Sequence, residues 1–270
     1  MSADGKIADA RRSPARFSSQ RDRFHLEQQI AAADATIFGA GTLRAYGTTL
    51  SISDSKLLYR RLQKAQKSQP VQILASASAN IDPQWRFFCQ PVPRWLLTSA
   101  AGAKYWQGRS EFERVIVGES GVGNRESGSS GRGGVLGDIS CVVGEESRGA
   151  EEVEEQRRTK SHSPLTTHHS PPNYPQPTID WTFALEQLFS LGIKRLAVLG
   201  GGELVAAMLA VDLIDEMWLT VCPLLLGGTN APSPVAGIGF PENLAPRLEL
   251  LSAQAEGQEV FLHYRLQRSQ

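Results

Sequence analysis

The chain has 270 residues, 41% of them hydrophobic, and its 28 basic and 28 acidic residues leave a formal net charge of zero. That balance argues against nucleic-acid binding through a global positive field; no apolar run reaches the roughly 18 residues of a membrane span, and no signal peptide opens the sequence. Cys89, Cys141 and Cys222 stand without paired or metal-ligand spacing, which points to a reducing cytoplasm and to no metal site.

In chain order, Ser18 and Ser19 followed by Asp22 make a capping-box-like start to a helix ending near Ala33. ATIFGAG (35–41) is a strand running into a glycine turn. Ser53 and Asp54 cap a helix to about Lys67, and VQILAS (71–76) and RWLLTS (94–99) are strands. A short helix, AAGAKYW, follows the second, and RVIVG (114–118) is another strand. Residues 119–177 differ in kind. A glycine- and serine-rich run gives way to a mixed charge run, then to a stretch rich in proline and histidine. Only VLGDISCVV (135–143) has the composition of a strand. Such a segment buries too little apolar surface to offset its ordering entropy. It is therefore expected to be a disordered insertion within a single domain spanning 1–270. His162, His168 and His169 lie in it and read as a solvated loop.

Asp180 then caps a helix whose apolar residues Trp181, Ala184, Leu185, Leu188 and Phe189 form one buried stripe, ended by Gly192. RLAVL (195–199) is a buried strand, GGG a turn, ELVAAMLA (203–210) a helix and EMWLTVCP (216–223) a half-buried strand. RLELLSAQ and QEVFLHYRLQ form an antiparallel hairpin. Helices alternating with strands and closed by antiparallel strands give an α/β architecture around a mixed sheet.

Two glycine turns follow strands: Gly39–Thr42 and Gly200–Gly202. Each aims backbone N–H groups beyond the strand ends, where anionic ligands collect in open α/β sheets. Neither is a dinucleotide fingerprint, because Arg44 and Val205 stand where GxGxxG needs its third glycine, and no GK[ST] follows. Alone, the pattern reaches an anionic cofactor site or a plain tight turn.

SADGKIA (2–8), FSSQRDR (17–23), AAADATIFGAGTLRA (31–45) and LGGGELVAAMLAVDLIDEMWLTVCPLLLGG (199–228) together resemble the reductase domain of the bifunctional riboflavin-biosynthesis deaminase–reductase. The resemblance implies a dihydrofolate-reductase-like mixed sheet flanked by helices. It implies NADPH as hydride donor and a phosphoribosylamino-uracil as substrate, whose ribose is reduced at C1. The zinc motif of the partner deaminase is absent from this sequence, so a stand-alone reductase is expected. By resemblance, Gly39, Gly41, Thr42 and the turn Gly200, Gly201, Gly202, Glu203 and Leu204 hold the cofactor, and side chains at 200–202 would obstruct a dinucleotide lying on the main chain. Thr98 and Ser99 are expected at the adenosine 2′-phosphate. Lys6 and Asp4 are the expected catalytic residues, with Lys6 contacting a phosphate or positioning the proton and Asp4 serving either directly or as a turn residue. Ser18 and Leu50 are assigned to substrate binding, and a homodimer using the apolar PLLLGG stretch is expected.

The chain departs from the resembled pattern at substrate-side positions. Ile30 and Ser53 stand where arginines are usual, Tyr46 and Gly47 replace an acidic pair, and Gly200 replaces an acidic residue. Arginine forks suit a sugar phosphate, so these departures bear on the substrate more than on NADPH. Two alternatives stay open: a nicotinamide-dependent reductase of another small heterocycle or imine, and a noncatalytic relative that keeps the fold. Met1 stands almost on the DGKIA turn, where the family carries an apolar strand, so a misplaced start or a fragment is expected.

Overall fold

The computed structural model describes residues 1–14, 17, 19–119, 139–143 and 179–268, with 139–143 described by backbone alone. Its strands are β1 (Ala35–Gly39), β2 (Val71–Ala75), β3 (Arg94–Thr98), β4 (Arg114–Val117), β5 (Ile139–Val143), β6 (Leu196–Gly200), β7 (Glu216–Val221), β8 (Arg247–Glu256) and β9 (Glu259–Gln267). Its helices are α1 (Gln20–Ala32), α2 (Ala40–Tyr46), α3 (Ser55–Gln63), α4 (Ala100–Trp106), α5 (Trp181–Ser190) and α6 (Gly202–Leu209). The strands form one sheet in the order β4-β3-β2-β1-β6-β5-β7-β9-β8. The run from β4 to β7 is parallel, and β9 pairs antiparallel with both β7 and β8.

The central strands are apolar on both sides because helices cover both faces. Alternation sends Ile37 of β1 into a core with Ile73, Val198, Val205 and Met208, and its neighbour Phe38 into a second core with Leu74, Leu96, Phe87 and Trp106. α1 and α3 pack through Leu26, Ile30, Leu50 and Leu57. The caps read from sequence are made. Ser19 accepts from the amides of Arg21 and Asp22, Asp54 from those of Lys56 and Leu57, and Asp180 from that of Phe183. Each satisfies amides that the first helical turn leaves unpaired. Gly192 sits at φ 91°, the left-handed conformation that ends α5.

Four local expectations are corrected. GAGT is not a free turn, since α2 starts at Ala40 directly off β1. α3 stops at Gln63, because Ala65 adopts φ 56°. The stripe of α5 is narrower than read: Ala184, Leu185 and Leu188 are buried, while Phe189 is 40% exposed. A short 3₁₀ turn, Arg86–Cys89, was not foreseen and inserts Phe87 into the second core.

The strand-like piece of the insertion is β5, which lies parallel between β6 and β7, with Cys141 opposite Val198 and Val142 opposite Trp218. The one stretch of the segment with a strand's composition is thus a central strand, and among the described residues it joins the β4-to-β6 half of the sheet to the β7–β9–β8 half. Ile139, Val142 and Val143 are the β-branched residues that such a lane favours. Met1 and Ser2 lie in the same lane beyond β5: Val143 pairs with Leu219 and Ser2 with Cys222. Of the 119–177 expectation, residues 120–138 and 144–177 lie outside the described residues.

Candidate active site

β1 and β6 are parallel neighbours, so their C-terminal ends reach the same sheet edge, with Phe38 opposite Gly200. Each passes straight into a helix. Gly39 is the N-cap of α2 and Gly201 that of α6, and neither helix start has a side-chain cap. The leading amides of both are therefore free of side-chain acceptors, which suits an anionic ligand. The two turns also touch. A Cβ on Gly39 would lie 3.8 Å from the Gly201 nitrogen, and one on Gly201 would lie 3.4 Å from Thr42 Oγ1.

The three consecutive glycines answer three different demands. Gly200 adopts φ +107°, a conformation that L side chains rarely take. Gly201 faces Thr42 across the cleft. Gly202 is held by the protein itself, because a Cβ there would stand 2.5 Å from the Ser233 carbonyl oxygen and 3.0 Å from Ala236 Cβ. Gly200 and Gly202 are therefore accounted for by the protein's own backbone and packing, while Gly201 lines the cavity with ordinary clearance from Thr42.

A cavity of about 540 Å³ opens over these turns, within the usual range for a small-molecule site. Gly39, Gly41, Thr42, Ala45 and Tyr46 form one wall, and Gly201, Gly202, Glu203, Leu204 and Ala207 form the next. Ser76 and Ala77 close it at the end of β2. Ile7, Ala8, Arg12 and Ser13 come from the N-terminal turn, with Trp181 and Pro232 on the remaining sides. The walls are mostly apolar, as flat rings need, with a few polar groups to orient them.

The cofactor residues read from sequence are thus brought together, with Gly200 lying one residue behind the wall. Thr98 and Ser99 are not in it. Both are fully buried, and both hydroxyls donate to the Ala77 carbonyl, at 3.1 and 2.7 Å. Ser99 Oγ also accepts from the Gly102 amide as the cap of α4. In this structure both side chains are engaged in holding Ala77, itself part of the wall. Leu50, expected at the substrate, is 4% exposed with its side chain packed in the α1–α3 core and is not in the cavity wall. Ser18 lies outside the described residues.

Asp4 and Lys6 also stand outside the wall. The Asp4 carboxylate accepts from Ser2 Oγ at 2.6 Å and from the amides of Leu226 and Gly227 at 3.1 and 2.6 Å. These bonds, led by the one from Ser2, lower its pKa to about 2. It is an anion at neutral pH that pins the N-terminal turn to the 226–227 loop. Lys6 closes the same turn through its backbone, its amide donating to Ser2 Oγ and its carbonyl accepting from the Ser2 amide. Ile7 and Ala8, next along, reach the cavity.

Two departures from the resembled pattern have structural explanations. Ile30 is fully buried among Leu26, Leu50 and Leu57. Ser53 holds Glu27: its hydroxyl and amide donate to the two carboxylate oxygens at 2.7 and 2.9 Å. Burial alone would raise the pKa of Glu27, but these bonds and the Asp54 amide bring it below the ordinary value. Both positions serve the α1–α3 junction. Sequence reasoning missed Ser76 and Ala77, although they follow a parallel strand at the same edge as the glycine turns, and that edge was a usable signal. Nothing local marked Arg12, Ser13 or Pro232.

Among the described residues no group of three His, Cys, Asp or Glu side chains could hold a metal ion, and no helix is long and apolar enough to cross a membrane. The family described as the RibD C-terminal domain matches residues 1–262. A 2,5-diamino-6-ribosylamino-4(3H)-pyrimidinone 5′-phosphate reductase from Methanothermobacter thermautotrophicus is 24% identical over 98% of this chain and 94% of its own length. The reductase of the same name from Archaeoglobus fulgidus is 22% identical over 97% and 94%. Among solved structures, a pyrimidine reductase-like protein from Corynebacterium diphtheriae shares the fold with a TM-score of 0.64 at 17% identity, covering 100% of this chain and 90% of that one. With nearly its whole length matched and the glycine turns assembled at one sheet edge, the chain belongs to the RibD C-terminal domain family.

Proposed function

We propose that the chain is an oxidoreductase of riboflavin biosynthesis, reducing a phosphoribosylamino-pyrimidine with a nicotinamide cofactor bound over the two glycine turns. The observation that carries this reading is the convergence of Gly39–Thr42 and Gly201–Leu204 on one cavity. The residues present fit the cofactor's parts. The uncapped starts of α2 and α6 suit a pyrophosphate, Gly201 lies close to Thr42 with a bare main chain, and the apolar walls suit a nicotinamide or adenine ring. Bound there, the cofactor supplies the hydride. The chain's own residues do the rest, as Ala45, Leu204 and Trp181 exclude water, and Thr42, Tyr46 and Ser76 offer orienting hydroxyls. Asp4, ionised and tied to backbone amides, has no proton to give at neutral pH and acts by positioning the turn. Lys6, on that turn, is the proposed phosphate or proton contact.

NADPH is the proposed donor, and a cytoplasmic homodimer the proposed form, with Leu225 of the PLLLGG stretch 77% exposed in support. The relatives' names specify the 2,5-diamino-pyrimidinone phosphate, whereas the sequence resemblance implied the uracil, so both belong in the assay. Purified chain is mixed with each pyrimidine phosphate and NADPH or NADH, and loss of reduced-nicotinamide absorbance is followed. Nucleotide binding is read separately from quenching of Trp181, with Trp181→Phe as the control. Turnover of either pyrimidine supports the reading. Nucleotide binding without turnover of either would favour a different imine substrate, and no nucleotide binding would favour a noncatalytic relative. Sedimentation velocity tests the dimer.

A further inference from the structure

We propose that Arg12 is a phosphate-monoester anchor of this site and sets its preference for phosphorylated ligands. Among the described residues lining the cavity, Arg12 is the one cation and Glu203 the one carboxylate. Other basic residues near the ends of these elements do not enter the wall. Arg12 is exposed, and its guanidinium has no ion pair or hydrogen bond among the described residues.

Its backbone is held in place by contacts of its own. Arg12 adopts φ 55°, an uncommon conformation for a residue with a long side chain. Asp9 maintains it, since its Oδ1 accepts from the amides of Arg11 and Ser13 at 3.0 and 2.9 Å, and its carbonyl accepts from the Arg12 amide at 2.9 Å. The Ile7 amide donates to the Pro232 carbonyl at 2.9 Å, which ties the turn's base to the far wall. A left-handed residue fixed on both sides, carrying an unpartnered guanidinium at a cavity, is the kind of local cost that binding clamps retain. A guanidinium matches a phosphate monoester with two parallel charge-assisted bonds. Glu203, on the first turn of α6, leaves Arg12 as the one cationic side chain of the lining for a phosphate monoester.

The inference deepens the proposed function and rests on it for the two sources of such a phosphate: the 2′-phosphate of NADPH and the 5′-phosphate of the substrate sugar. Arg12→Gln and Arg12→Lys are compared with the natural chain, with melting temperature confirming that the exposed site leaves the fold intact. Affinities are measured for NADPH against NADH, and for two fragments, adenosine 2′,5′-bisphosphate and ribose 5-phosphate. kcat/KM is measured for the pyrimidine with and without its 5′-phosphate.

In Arg12→Gln, preference for the phosphorylated member of one pair should fall about 10- to 100-fold, as expected for a lost charge-assisted bond. The other pair should keep its ratio, and Arg12→Lys should restore part of the loss. A fall in the NADPH/NADH ratio assigns the cofactor phosphate, and a fall in the substrate ratio assigns the sugar phosphate. Unchanged ratios and unchanged fragment affinities in Arg12→Gln overturn the proposal. Because fragment binding needs no turnover, a chain that binds them through Arg12 yet reduces neither pyrimidine upholds the anchor while overturning the proposed function.

Discussion

Gly202→Ala tests the architecture of the site most directly. The added methyl would stand 2.5 Å from the Ser233 carbonyl oxygen, where ordinary van der Waals contact starts at 3.4 Å. The loop must therefore retreat by about 0.9 Å or the start of α6 must tilt. Neither obstacle is a flexible side-chain tip: the atoms met are the carbonyl of Ser233 and the Cβ and amide of Ala236, and that amide donates to the Gly202 carbonyl at 3.1 Å. Overpacking of this kind costs about 1–3 kcal/mol. The gain from replacing glycine by alanine is at most about 1 kcal/mol in a helix interior and smaller at a first helical residue. Net of that gain the loss is about 0.5–3 kcal/mol, and for a domain of this size the melting midpoint should fall by about 1 to 12 °C. Because Pro232 and Ala236 line the cavity, nucleotide affinity should weaken as well. Gly41→Ala is the matched control. A Cβ there meets nothing within 4 Å, so the melting temperature should hold or rise while nucleotide binding weakens, since Gly41 is part of the wall. Differential scanning calorimetry with fluorescence titration reads both variants. A Gly202→Ala protein that melts and binds like the natural chain would refute the account of the three glycines.

Three further outcomes are expected. Asp4→Ala should lower the melting temperature at pH 7. The folded-state pKa of Asp4, about 2, lies below the ordinary 3.8, so its contribution is present above that value and should disappear as pH falls from 3.8 towards 2; a gap between variant and natural chain that persists in acid would contradict this. Glu27→Ala leaves the amides of Ser53 and Asp54 without their acceptor and should cost about 1–3 kcal/mol in urea unfolding, whereas an unchanged midpoint would remove Glu27 as the α1–α3 tie. Val142→Pro in β5 removes a ladder donor from a central strand and should cost about 3 kcal/mol, with amide exchange accelerating in β6 and β7. Unaltered exchange there would mean that β5 does not join the two halves of the sheet.

Much of the fold was legible in the chain because its signals are local. Asp54, Asp180 and Gly192 announce helix ends through short-range hydrogen bonding and φ preference, and the apolar runs of β1, β2 and β6 report burial on both faces. The two glycine turns were legible for the same reason. The bonds of Thr98 and Ser99 to the Ala77 carbonyl were not legible, because a hydroxyl at a strand end looks alike whatever acceptor it meets. The burial of Leu50 between α1 and α3 was not legible, because an apolar residue in a loop does not say which surface covers it.

The sequence by itself determined most of the strands and longer helices, their order and the two glycine-rich strand ends, since backbone propensity, capping and hydrophobic period act within a few residues. Only the tertiary structure decided that β5, from a segment composed like a disordered one, completes the sheet between β6 and β7. The tertiary structure alone also decided that Ile30 and Ser53 serve packing, and that Arg12 stands at the cavity. Each of these depends on contacts between residues tens to more than a hundred positions apart, such as Glu27 with Ser53, Ile7 with Pro232 and Gly202 with Ser233. Chain folding sets such distances, and no local preference encodes them.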